Sequence, residues 1–227
     1  LVKLFVCFLL AAFLPVPCFS QSAKLEKKQA YWGSPDTYLN TQSSVMFDLI
    51  NEALTANPPS TTFSMSRKLA LYNLDAILHD TRNDKSEALH DYVCTRMDAV
   101  IKDLSLPLKK GMKIYKIYND GFVIRTKSTV LAFDLCGKRG TIVPDSMMQK
   151  IVDKCEVLFI SHVHDDHADM NVSNMFLKAG KPVYAPANFR EDNTEIQHLY
   201  SDKVIDKTIK LRGGTIKVKV LYSWNEW

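Results

Sequence analysis

Three things this 227-residue chain lacks narrow its class before any motif is read. It has no disulfide framework: Cys7 and Cys18 fall in an apolar N-terminal stretch, and Cys94, Cys136 and Cys155 form an odd set without regular spacing. One pair among them can form in an oxidising compartment, and the spacing does not choose which. It has no strong charge of one sign. A net charge of +4, spread along the chain, points to neither nucleic acid nor an acidic membrane surface as a partner. It also has no stable membrane span, because the apolar run from Leu4 to Leu14 is too short to cross a bilayer comfortably. What is present, 46% apolar and 24% charged residues, is ordinary for a globular protein.

The N-terminal run has a different use. Lys3, the apolar core Leu4–Leu14, the helix-breaking Pro15 and Pro17, and the small Ser20 together read as a secretory signal peptide over residues 1–20, cleaved before Gln21. The protein is therefore expected to be secreted or periplasmic. A lipoprotein reading through Cys18 is the minor alternative, since Pro17 directly before it fits poorly. The first residue is Leu rather than Met, which fits a non-standard start codon or an incomplete sequence.

From Gln21 to about Lys110 the pattern is helical. Met46, Leu49, Ile50, Ala53 and Leu54 make one apolar stripe that ends before Asn57-Pro58-Pro59. Ser64 or Ser66 can cap a second helix carrying Ala70, Leu71, Leu74, Ile77 and Leu78. A third carries Leu89, Tyr92, Val93, Met97, Val100, Ile101 and Leu104. His79 and His90, in or beside these helices, read as surface or boundary residues without a function. At Gly111 the period changes to two. Met112–Tyr118, Phe122–Thr126 and Val130–Leu135 read as strands, the first two joined by the Asn119-Asp120-Gly121 turn. Asp145 caps a short helix through Met148, Ile151 and Val152. Later, Pro182–Pro186 completes a β-α-β crossover, Ala187–Tyr200 reads as loop and helix, and Lys203–Asp206 and Thr215–Tyr222 are strands turned at Gly213-Gly214. His198 has no partner at ligand spacing.

The chemistry concentrates in Ser161-His162-Val163-His164-Asp165-Asp166-His167-Ala168-Asp169, which holds three of the six histidines beside three carboxylates. The apolar run Val157–Ile160 before it reads as a buried strand. After it, Val172, Met175, Phe176 and Ala179 recur at helical spacing, with Gly180 and Pro182 as the stop. The cluster thus sits where a buried strand gives way to a helix, the place where ligands collect in open α/β sheets. An extended segment points His162 and His164 to one side, and two imidazoles on one side suit one borderline metal ion, usually zinc. Asp166 and His167 follow as the chain turns, aimed at a second ion. Such a pair of ions polarises a carbonyl or phosphoryl group and holds a hydroxide at neutral pH. A solvated surface cluster of polar residues is the bland alternative.

His162-Val163-His164-Asp165-Asp166-His167 resembles the H-x-H-x-D-H signature of the metallo-β-lactamase superfamily. The resemblance implies that His162 and His164 bind one zinc ion and that Asp166 and His167 bind another. It also implies hydrolysis of a small-molecule substrate at an ester, amide or phosphodiester centre by a metal-held hydroxide, with Asp166 as the catalytic residue that positions it or takes its proton. The strands ending in Phe133-Asp134-Leu135-Cys136-Gly137 are similar to that family's opening sheet, where an Asp ends a strand and a Gly follows. Asp134 is then expected to orient the ligand loop rather than bind metal. Cys136 nearby reads as a buried, idle thiol.

The implied fold class is α+β: the first half of a metallo-β-lactamase αββα sandwich over residues 111–227, preceded by the helical segment of residues 21–110, which the resemblance does not cover. The family pattern continues with a further His, a metal-bridging Asp and a last His, and none has a candidate up to Trp227. The sequence therefore reads as C-terminally truncated. Two protein ligands per ion, where catalytic zinc normally has three, predict a poor or inactive enzyme for these residues alone. Leu131, Phe133, Val218 and Val220 are expected to face a sheet the chain does not contain, inviting self-association through that face. Two classes stay open: a secreted zinc hydrolase, and a non-catalytic metal-binding or interaction protein. Reading the gene beyond the Trp227 codon discriminates them.

Overall fold

The computed structural model describes residues 35–79, 86–138, 140–199 and 204–221. The signal peptide expected over residues 1–20 lies outside them. Three helices come first: α1 (Pro35–Ala56), α2 (Met65–His79) and α3 (Glu87–Ser105). The α1 stripe is set differently from the one the spacing suggests. Ile50 and Leu54 face the core as expected, with Ala53 packed beside them, but Met46 and Leu49 are 50% and 61% exposed and Phe47 is buried in their place. Apolar residues occupy both faces of α1, so periodicity alone does not choose between them. Ser64 caps α2 through its Oγ, which accepts from the Arg67 amide at 3.3 Å. Ser86 does the same for Leu89 in α3. The buried residues of α3 are Ala88, Leu89, Met97 and Leu104, and the helix packs onto α4 (Asp145–Lys154).

The strands β1 (Lys113–Lys116), β2 (Phe122–Arg125), β3 (Val130–Phe133), β4 (Val157–Phe159), β5 (Val183–Ala185) and β6 (Gln197–His198) lie side by side in chain order. The first three pair antiparallel, and β3 to β6 pair parallel. The parallel pairs require crossovers. These are α4 between β3 and β4, α5 (Met170–Lys178) between β4 and β5, and the helix-free segment 186–196 between β5 and β6. With both faces covered, β4 and β5 are buried throughout.

Side-chain alternation divides the core in two. Ala132, Leu158, Val183 and Ala185 point to the helices, and this cluster runs on without a break through α4 and α5 into the core residues of α1–α3. Leu131, Phe133, Val157, Phe159 and Tyr184 point the other way. There the rings of Phe133, Phe159 and Tyr184 stack in series at centroid distances of 5.1 and 5.4 Å.

Part of that second face is covered from within the chain. The hairpin β7 (Ile205–Leu211) and β8 (Gly214–Val220) closes on it, bringing Ile209, Leu211, Ile216 and Val218 against Leu131, Phe133, Val157, Phe159 and Tyr184. Leu131, Phe133 and Val218, expected to face a sheet outside the chain, pack here against one another, while the N-terminal helices lie on the opposite face. The hairpin is pinned at its turn, where the Gly213 amide donates to Glu156 Oε2 at 2.6 Å. A Cβ on Gly213 would stand 1.7 Å from the Ser128 carbonyl oxygen, so only glycine permits this approach. Ile209, 3% exposed, is the hairpin's main apolar contribution. Ile209→Ala is expected to cost about 2–5 kcal/mol of stability by denaturant unfolding; a loss below about 1 kcal/mol would mean that the hairpin is not packed this way.

Two further readings are corrected. Residues 187–200 hold the short parallel strand β6 instead of a helix. Asp145 is the first helical residue of α4 and not its cap; Pro144 takes that place with no side-chain hydrogen bond, and Asp145 Oδ1 accepts from Asn171 Nδ2 at 2.8 Å.

Candidate metal centre

The site forms beyond the C-terminal ends of β3 and β4. Asp134, just after β3, has a φ of +47°, in the left-handed region that Asp tolerates better than most residues. Its amide donates to the Phe159 carbonyl at 2.9 Å. The sharp turn swings its carboxylate across to the next strand's end. There Oδ1 accepts from the Ser161 amide at 2.7 Å, and Oδ2 accepts from Ser161 Oγ at 2.7 Å and lies 3.0 Å from His167 Nδ1. Asp134 thus holds both ends of the histidine loop, in the orienting position expected of it.

Within the loop, the amides of His167 and Ala168 donate to the His164 carbonyl at 2.9 and 2.8 Å, which bends the chain into a turn. The loop closes at Asp169, 6% exposed. Its Oδ1 accepts from the Asn171 and Val172 amides, capping α5, and its Oδ2 accepts from the Gly137 amide at 3.0 Å. Asp169 therefore ties the segment after β3 to the start of α5.

The hydrogen bonds assign ring protons. Ser161 Oγ gives its single proton to Asp134, so at His162 Nδ1, 3.0 Å away, it accepts. That leaves His162 Nε2 bare. It stands 3.2 Å from His164 Nδ1. With His162 Nε2 bare, this contact is a hydrogen bond in which His164 Nδ1 donates. Two imidazole nitrogens on one tetrahedral zinc ion lie about 3.3–3.4 Å apart, so an ion taking the place of that proton would need nearly the same separation. The segment bends here rather than running extended, yet His162 and His164 still meet. Burial, then the neighbouring His167 and His164, push the His162 pKa below the usual histidine value, with Asp134 and Asp166 opposing. The neutral form is the one that binds metal.

The same logic applies at His167. Its Nδ1 proton goes to Asp134, and its Nε2 faces two carboxylates: Asp120 Oδ2 at 3.4 Å and Asp166 Oδ2 at 3.8 Å. Asp120, Asp166 and His167 each offer an atom within 4.8 Å of the others, a group with metal-ligand chemistry. The ring of His167 lies 3.9 Å, centroid to centroid, from that of His162, so the two groups adjoin. Asp166 Oδ2 also accepts from Asn119 Nδ2 at 3.0 Å.

Sequence reasoning placed Asn119 and Asp120 in a turn and gave them no further part. Turn chemistry explains Asn-Asp-Gly without a site, and only the β2–β3 pairing carries that turn over the loop. Gly121 makes the approach close, since a Cβ on it would meet the Asp134 carbonyl at 3.0 Å. His198 is held elsewhere, with Nε2 2.9 Å from the Phe189 carbonyl.

Cys136 is buried behind the loop, with Sγ 3.5 Å from the Asp165 carbonyl. Burial pushes its thiol up to about 11, and that of Cys155 up to about 12. Both are protonated at neutral pH, and the thiolate is the reactive form. Iodoacetamide at pH 8 is expected to label neither within minutes in the folded protein and both after denaturation. Rapid labelling of Cys136 would contradict its burial.

No protein-family model matches the chain, and no curated protein matches it. Among solved structures, the metallo-beta-lactamase fold protein YhfI from Bacillus subtilis is similar at 14% identity and a TM-score of 0.28, over 50% of this chain and 54% of that one. The chain thus spans about half the length of that structure.

Proposed function

We propose that this protein is a metal-dependent hydrolase of metallo-β-lactamase type, exported by its N-terminal segment and acting on a small molecule at an ester, amide or phosphodiester centre. The observation that carries the reading is the 3.2 Å separation of His162 Nε2 and His164 Nδ1 beside the Asp166–His167 pair. His162 and His164 would hold one zinc ion, and Asp166 and His167 a second. Bound zinc supplies Lewis acidity toward the substrate oxygen and lowers the pKa of water to near neutrality.

The chain's own residues supply orientation and proton handling. Asp134 accepts from His167 Nδ1 directly and orients His162 through Ser161, leaving Nε2 of each ring as the nitrogen available to an ion. Asn119 Nδ2 donates to Asp166 Oδ2 and holds the carboxylate beside His167, where it would take the proton of an attacking water. Asp166 is the proposed catalytic residue.

A non-catalytic metal-binding role is the second reading, favoured by the exposure of His164 and by the two protein ligands its pair provides. One experiment separates the readings. Protein stripped with chelator is titrated with zinc, then assayed against β-lactam, lactone, thioester and phosphodiester substrates. Zinc-dependent multiple turnover that is lost in Asp166→Ala supports the hydrolase. Stoichiometric zinc uptake with no turnover supports the binding role, and no uptake rejects both.

Export rests on residues 1–20 alone; no described helix is long and apolar enough to cross a membrane. N-terminal sequencing of protein recovered from its native cells is expected to begin at Gln21. An intact Leu1 end in the cytosol would refute export.

A further inference from the structure

We infer that Asp120, in the β1–β2 turn, is the third protein ligand of the ion held by Asp166 and His167. This rests on the metal-binding reading above and adds a ligand from a different part of the chain, one that the histidine loop does not contain.

The first ground is a convergence of ligand atoms. His167 Nδ1 lies 3.0 Å from Asp134 Oδ2, a carboxylate oxygen that only accepts, so Nε2 is the ring nitrogen left to face away from it. Nε2 stands 3.4 Å from Asp120 Oδ2 and 3.8 Å from Asp166 Oδ2. Two carboxylate oxygens and a ring nitrogen thus meet from separate parts of the chain, a donor set that one cation can bridge. Separations below 4.8 Å among all three suit ligands that share one ion at bond lengths of about 2.0–2.2 Å, after a small inward movement.

The second ground is that the turn is built to hold Asp120 there. Asn119 has a φ of +49°, and its Nδ2 donates to Asp166 Oδ2 at 3.0 Å, latching the turn to the loop. Ile117 N donates to the Gly121 carbonyl at 2.9 Å and Gly121 N to the Tyr118 carbonyl at 3.1 Å, closing the hairpin end. Lys116 Nζ lies 3.4 Å from Asp120 Oδ1 and leaves Oδ2 turned to His167. Lys116 is itself seated over the Phe122 ring, 4.2 Å from its centroid. Asn119 thus fixes the turn to Asp166 and Lys116 holds Asp120 Oδ1, although Asp120 is half exposed and would otherwise be free to extend into water.

Two carboxylates and one imidazole form a harder donor set than the imidazole pair of His162 and His164. The set should accept manganese as well as zinc, whereas the imidazole pair should discriminate strongly for zinc. Three protein ligands also leave open coordination positions, the arrangement of a catalytic rather than a structural ion.

The test uses the full chain, stripped of metal and titrated with zinc and, separately, with manganese by isothermal calorimetry. The proteins are the wild type, Asp120→Asn, Asp120→Glu and His162→Ala/His164→Ala, with thermal melts of each metal-free protein to establish folding. Asp120→Asn keeps size and hydrogen bonding but is a poor ligand. It is expected to lose one zinc site and the manganese site, weakened at least about 100-fold given that even outer-shell partners cost 10–100-fold. The imidazole-pair zinc site should be retained, and Asp120→Glu should recover part of the lost affinity. The double histidine variant should show the reverse pattern, keeping manganese. If the wild type binds two zinc ions and Asp120→Asn keeps both at unchanged affinity, Asp120 is only an ion-pair partner and the inference is wrong while the metal-binding reading stands. If the wild type binds no metal, both fail.

Discussion

Replacing His162 and His164 together by alanine is expected to abolish zinc binding at the imidazole pair, with the stoichiometry falling by one ion per chain. In the proposed site these two nitrogens, 3.2 Å apart, are the protein donors. Loss of a single outer-shell partner already weakens a metal site by about 10–100-fold, and removing both direct donors leaves no protein nitrogen to hold the ion. The fold should survive. His164 is exposed and His162 half-buried, and neither contributes to the apolar core. A melting temperature within about 2 °C of the wild type, measured without metal, would establish that the loss is local, since exposed substitutions are usually worth less than 0.5 kcal/mol. Unchanged zinc content by elemental analysis would overturn the assignment.

Asp134→Ala is expected to damage stability and metal affinity together. Its carboxylate accepts from the Ser161 amide and hydroxyl, each at 2.7 Å, and lies 3.0 Å from His167 Nδ1. Hydrogen bonds to a charged acceptor contribute about 1.5–3 kcal/mol each, and truncation leaves their donors without a partner. Ser161 is partly accessible to water, which will satisfy some of them, so a net loss of about 2–4 kcal/mol is expected. Alanine also tolerates the φ of +47° less well than Asp does. Asp134→Asn separates these contributions. It keeps the tolerance of the left-handed conformation and one good acceptor, so most stability should return. The tautomer lock on His162 and His167 would still be weakened, and metal affinity should stay about 10–100-fold down. Equal stability and affinity losses in both variants would mean that Asp134 acts as a structural turn and not as an orienting carboxylate.

The two predictions draw on parts of the molecule that were unequally legible. The loop was readable because its residue types sit next to one another: Val157–Ile160 as a buried strand, Val172 and Phe176 as a helix face, and the histidines between. The α3 face from Leu89 to Leu104 was readable for the same local reason. Non-local events were not. The hairpin of β7 and β8 alternates cleanly in sequence, but nothing in that alternation says which surface it meets. Only the pairing of β3, β4 and β5 creates the Phe133–Phe159–Tyr184 stack that receives it. Asp120 belongs to this class too, since a turn residue becomes a candidate ligand only when β1 and β2 are laid beside β3. At 187–200 the short strand β6 depends on an edge offered by β5, and propensity carries no trace of that edge.

Anomalous diffraction at the zinc edge, from crystals of the zinc-loaded full chain, tests the central claim most directly. Two peaks are expected. One lies about 2 Å from both His162 Nε2 and His164 Nδ1, and the other about 2 Å from His167 Nε2 and from carboxylate oxygens of Asp166 and Asp120. A zinc-loaded crystal with no peak near these atoms, and with His162 and His164 still paired only to each other, would contradict it.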